Sequence, residues 1–297
     1  MTPEPAPPRI PTTPTPWRPP SPEALEAHFA QHPPRPAGPW AQRTPLFVLV
    51  GVVLLALAIG GPAAWLLPWG AFVGLLVYGS QKVNAMRRFE ARLARAAELA
   101  TLRHHRPALR SAWRLIPELA DHPALQHRAV VVIAQVLDQL DAHDAAIVAY
   151  NRLLDDLPGG HPGATMLKIH RAIAALFTHQ LSDADDALRR LRGPVEEFDD
   201  ATPTAAAYRF ALLFQSVQTA HYAEAIEESG DLLDALRPLG IDAGYGHALL
   251  AWCHRQRNDA EAQDDVQART WWRRATALVP AAALVRRFPE LREVRGE

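Results

Sequence analysis

An all-α chain is predicted, with a membrane helical hairpin followed by a stack of helical hairpins and preceded by a disordered, proline-rich arm. Three observations predict it. Residues 44–81 carry no charged side chain. Fourteen of the 27 prolines fall between Pro3 and Pro39. From Asn84 onward apolar residues recur at three- and four-residue spacing, and no stretch alternates over six residues as a strand does.

Residues 1–43 form the proline-rich arm. Proline fixes φ and removes a backbone donor, so the stretch TPEPAPPRIPTTPTPWRPP is expected to be extended and disordered. SPEALEAHFAQ interrupts it. Ser21 suits an N-cap, Pro22 the first helical position and Glu23 the first turn, while Leu25 and Phe29 share a face. A transient helix in a disordered tail is the expectation. PAPPRIP and PPRP have the composition of ligands for aromatic grooves, which a tail this rich in proline produces by chance.

Residues 44–81 are expected to form a two-helix transmembrane hairpin. One crossing needs about 20 apolar residues, so this window is too long for one pass and just long enough for two. Gly60, Gly61 and Pro62 sit at its middle, giving arms of roughly 45–59 and 63–78. Trp65, Trp69 and Tyr78 fit interfacial anchoring, and Pro68 kinks or delays the second arm. Lys82, Arg87, Arg88, Arg92, Arg95, Arg103, Arg106 and Arg110 follow the window, opposed by Glu90 and Glu98; Arg35 and Arg43 precede it. Positive charge on both flanks predicts two passes with both termini cytoplasmic. The basic stretch 82–110 also suits anionic headgroups. No secretory signal is expected, and Cys253, alone in the sequence, excludes an intrachain disulfide. Cys253 reads as a small core residue. The net charge of −1 gives nucleic-acid binding no support.

Residues 82–126 read as a basic juxtamembrane helix and entry hairpin, 127–280 as helical repeats and 281–297 as a capping helix with a polar face. Prolines and glycines punctuate the segments, among them Pro123, Pro158, Gly193-Pro194, Pro203, Gly240, Gly244 and Pro280. In the clearest unit the first helix carries Ile133, Ala134 and Leu137, and the second carries Ala146, Tyr150 and Leu153, with Pro158 five residues on. Ala268, Trp272, Ala275 and Pro280 repeat that 4-3-5 spacing opposite Leu250, Ala251 and Trp252. Weaker units centre on Ala225 and Ala184. Small residues let paired helices approach, and large ones fill the space beside them.

This pattern resembles the tetratricopeptide repeat over roughly residues 90–280. The alanine spacings of 38, 41 and 43 exceed the family period of about 34. The resemblance implies a curved stack whose concave face, lined by the first helix of each pair, takes a protein or peptide partner. The partner-binding residues it implies are Arg128, Gln135, Asp138, Phe210, Phe214, Tyr245, Trp252 and Arg255.

Catalytic and metal chemistry find no support. H-E-x-x-H, phosphate-binding glycine loops and G-x-S-x-G are absent from the sequence. His247 and His254 lie seven apart with no carboxylate at ligand spacing, and a solvated or capping role is expected for each. The function expected is a membrane-tethered scaffold or adaptor, without enzymatic activity or cofactor. The alternative is a structural membrane-assembly subunit that oligomerises through the hairpin, where Gly51 and Gly60, or Gly70 and Gly74, permit close helix contact.

Overall fold

The computed structural model describes residues 17–35, 47, 50–53, 58, 66–157, 161–199, 201–257 and 262–295. Every regular element among them is helical. The central turn of the apolar window and most of its first arm lie outside the described residues, as do residues 1–16 of the arm.

Residues 17–35 correct the expectation of a disordered arm. Helix α1 (Pro22–Gln31) starts where the sequence places it, with Ser21 Oγ accepting the Ala24 N–H at 3.3 Å. It is a packed element: Leu25 and Phe29 are buried in the same core as the first helical pairs. The His28 ring stacks on Trp113 at 4.0 Å. Gln126 Nε2 donates to the carbonyls of His32 and Ile116, and the Arg35 N–H donates to Ala120 O. Two apolar side chains one helical turn apart suffice to dock a short helix once a preformed surface exists, and sequence periodicity does not show that surface.

Helix α2 (Leu66–Thr101) is continuous across the boundary at Lys82. At 1.5 Å per residue it is about 54 Å long. Its apolar part ends at Gln81, after about 24 Å, short of the ~30 Å of a bilayer core. No helix among the described residues is long and apolar enough to cross a membrane.

Paired helices follow: α3 (His105–Glu118) returns along α2; α4 (Pro123–Gln139) pairs with α5 (His143–Asp156); α6 (Pro162–Phe177) pairs with α7 (Leu181–Glu196). α8 (Pro203–Gln218) pairs with a broken second helix, α9 (Tyr222–Glu227) and α10 (Ser229–Ala235), continued by a 3-10 turn over Arg237–Asp242. α11 (Ala243–Gln256) pairs with α12 (Ala262–Leu278), and α13 (Ala281–Arg287), a 3-10 turn (Pro289–Leu291) and α14 (Arg292–Arg295) complete the described chain.

One turn geometry recurs in this stack. Arg103, Asp141, His179 and Ala220 all adopt φ near 60°, each between the first and second helix of a pair. The next residue donates its N–H five back in every case: His104 to Leu99, Ala142 to Leu137, Gln180 to Ala175 and His221 to Ser216. This is a Schellman closure, and it satisfies carbonyls that the helix end would leave orphaned. Each turn then sets an alanine at the same place in the second helix. Ala108, Ala146, Ala184 and Ala225 donate their N–H groups to residues 104, 142, 180 and 221, and all four are buried. The repeat therefore begins one unit earlier than the alanines read from the sequence, at Ala108.

Two punctuation marks prove internal to helices. α7 runs through Gly193-Pro194 to Glu196, and Gly244 is the second residue of α11. Gly244 is there for close packing: a Cβ on it would lie 2.8 Å from Val279 Cγ2.

Candidate functional site

The first helices of the pairs line one face of the stack, and the chain's own C-terminal segment lies on it. Arg287 is the clearest marker. Its guanidinium reaches both carboxylate oxygens of Asp138 at 3.4 Å and donates to the Asp138 carbonyl at 3.3 Å, 149 residues away in sequence. It also pairs with Asp141 at 3.6 Å. The same guanidinium sits 4.5 Å from the Phe177 ring centre and 5.4 Å from that of Tyr245. Residues of α4, α6 and α11 thus converge on one side chain. Packed helices stand about 8–10 Å apart, so such convergence requires a strongly curved stack with this face inside.

Phe288 fills the adjoining pocket and is almost fully buried. It meets Phe177 at 5.4 Å, Phe214 edge-on at 5.3 Å and Tyr245 at 6.2 Å. His143 completes the wall, stacked on Phe177 at 4.2 Å with Nδ1 2.9 Å from Asp138. Burial by itself would raise the Asp138 pKa. The hydrogen bond from His143 and the nearby Arg287 charge overcome it and hold the carboxyl at about 2. The carboxylate is therefore ionised throughout the neutral range.

Of the eight residues expected to bind a partner, Asp138, Phe214 and Tyr245 do meet at one place. Phe214 meets it from within the core, with no exposed surface, and Phe210 lies behind it, also buried. With the C-terminal segment in place, neither ring is exposed to solvent. Their helix faces its neighbours with that edge, so the rings pack between pairs. Arg128 and Gln135 are exposed on α4, and their spacing from Asp138 puts them on its side of the helix. Trp252 is half-buried against the core, and Arg255 is exposed. Asp141, His143, Phe177, Arg287 and Phe288 were not among the expected residues. The string Arg286-Arg287-Phe288-Pro289 was the available signal, since it sets an arginine beside an aromatic ring, two side-chain types enriched at the centres of interfaces.

His247 and His254, expected to be solvated or capping, are buried. Both ring nitrogens of His247 lack a hydrogen-bond partner, and burial lowers its pKa. Cys253 is fully buried, which pushes its thiol up to about 12 and leaves it inert. No group of three or more His, Cys, Asp or Glu side chains among the described residues is arranged to hold a metal ion.

A second feature lies at the other end. Trp69, Phe72, Val73, Leu76 and Val77 form one broad exposed face of α2, Trp69 at 67%, and Tyr78 is exposed on the opposite side. No neighbouring heavy atom would lie within 4 Å of a Cβ added at Gly70, Gly74 or Gly79. A helix that is apolar all round belongs in a core or in lipid.

The chain matches no protein-family model, no curated protein and no solved structure.

Proposed function

We propose that the chain is a membrane-tethered scaffold whose helical-repeat domain, of tetratricopeptide type, holds a protein partner on its inner face. The curved face where Asp138, Phe177 and Tyr245 converge carries this reading. It combines fixed negative charge with aromatic surface, the mixture found at the energetic centres of interfaces. The tether is the uncharged window 44–81, entering the bilayer as a hairpin. Its support is the absence of charge over that span and the broad exposed apolar face of α2, which gives way to a basic stretch at Lys82. Both termini then lie on the cytoplasmic side. A tether raises the partner's local concentration without adding a contact. The reading includes no catalysis.

Two measurements test it. Full-length protein is floated with phosphatidylcholine vesicles beside a Val73→Asp, Val77→Asp variant. Wild type is expected to float and the variant to stay at the bottom; equal flotation removes the tether. Second, full-length protein and an Arg128→Glu, Gln135→Arg variant capture partners from detergent extracts. These positions are exposed, so folding is retained and circular dichroism checks it. A partner bound by wild type and lost by the folded variant is expected. No partner, or one retained by both, overturns the scaffold.

A further inference from the structure

The segment that ends the described chain does more than cover the last helical pair. A cap needs to shield α11 and α12. Leu284 and Leu291 do this, and both are buried. Arg287 and Phe288 instead reach back across the stack to α4, α6 and α8. Their chemistry is that of a bound ligand. A planar guanidinium is held by two carboxylates and lies over two rings, and a phenyl group fills an aromatic pocket beside it. Arginine and aromatic residues are the side chains that dominate binding energy at protein interfaces.

The segment is also built as a separable piece. Its helices are short: seven residues in α13 and four in α14, with a three-residue 3-10 turn between. Exposed Pro280 opens it, and Pro289 follows Phe288 at once. The pocket, by contrast, is assembled from helices of four successive pairs.

We propose that the inner face is a receptor for peptide segments in which an arginine precedes an aromatic residue, and that Arg287-Phe288 is its resident, displaceable occupant. The proposal rests on the scaffold reading and names the partner's chemistry. Asp138 and Asp141 select the base, and Phe177, Phe214 and Tyr245 select the ring. A lysine would keep the charge but lose the two-pronged contact and the stacking. The tethered tail acts at an effective concentration in the millimolar range, so a partner in trans must match it through high local concentration or further contacts. The closed face therefore rejects stray basic peptides and admits a partner concentrated at the same membrane.

The test uses the full-length chain with a protease site inserted between Pro280 and Ala281 and cut after folding. A fluorescein-labelled peptide of residues 281–295 is then titrated and followed by anisotropy. The cut chain is expected to exchange its tail and bind the labelled peptide about tenfold or more tightly than the uncut chain. A peptide carrying Arg287→Ala and Phe288→Ala is expected to bind at least about tenfold more weakly, as is the wild-type peptide to a cut Asp138→Asn chain. Three results overturn the proposal: a cut chain that unfolds, a tail that never exchanges, or equal binding of the substituted peptide. The vesicle and capture measurements do not depend on this outcome, so loss of the latch and loss of the scaffold are read separately.

Discussion

The ion pair between Asp138 and Arg287 offers a quantitative check on the curvature of the stack. At 3.4 Å and an effective dielectric constant of about 20, the bare attraction is about 5 kcal/mol. Both side chains are largely buried, at 19% and 14% exposure, so desolvation offsets much of it. Asp138 also keeps His143 as a partner, and Arg287 keeps Asp141. A net coupling of about 1–3 kcal/mol remains, the range found for residues in one charged network. The perturbation is a double-mutant cycle with Asp138→Ala, Arg287→Ala and both together in the full-length protein. Urea unfolding followed by circular dichroism gives the four stabilities. Each single change is expected to cost about 2–4 kcal/mol, because it leaves a buried charge short of a partner. The double change is expected to cost about 1–3 kcal/mol less than the sum. Additivity within ~0.3 kcal/mol would refute the reasoning, since side chains 149 residues apart couple only if the tail lies on the inner face.

Two further outcomes follow from local chemistry. Ala220 sits exposed at φ near 59°, where a Cβ costs about 1–2 kcal/mol. Ala220→Gly relieves that strain and loses about 0.4–1 kcal/mol through the unfolded chain, so a net gain of roughly 0.5–1 kcal/mol is expected in the urea midpoint; a loss would mean the turn is not left-handed. Burial lowers the pKa of His28, His105, His127, His170 and His247. Each folded-state value then lies below the unfolded value of about 6.5, and the unfolded chain takes up more protons as pH falls through it. Stability is therefore full above about pH 6.5 and falls below it, while Asp138, held at about 2, contributes across this window and weakens only below its ordinary value. Thermal unfolding at pH 7.5 and 5.5 is expected to show a lower midpoint at the acidic pH, with a smaller drop in His247→Leu; a flat or rising midpoint contradicts the burial.

Helical class was legible because it is local. Ala146, Tyr150 and Leu153 lie within two turns, and the spacing that places them on one face also lets the paired helix approach. The start of α1 was legible for the same reason, as Ser21, Pro22 and Glu23 act on backbone groups within four residues. The four left-handed turns were not. None of Arg103, Asp141, His179 and Ala220 is a glycine, so the signal that usually marks such a position is absent. Two of the eight residues expected on the inner face, Phe210 and Phe214, turn out to be buried, and helix phase is the reason. Phe210 and Phe214 share a side of α8, and whether that side meets the core or solvent depends on where the next pair packs.

The amino-acid sequence by itself determined the all-helical class, the uncharged window that stops at Lys82, the basic stretch beyond it and the alanines that set each helical pair. These follow from interactions within one or two helical turns, or from composition alone. The tertiary structure decided that residues 17–35 are a docked helix and that Arg287 and Phe288 lie on the inner face against Asp138, Phe177 and Phe214. That decision depends on curvature summed over successive pairs. Each crossing angle adds to the last, and no segment shorter than the whole stack contains the result.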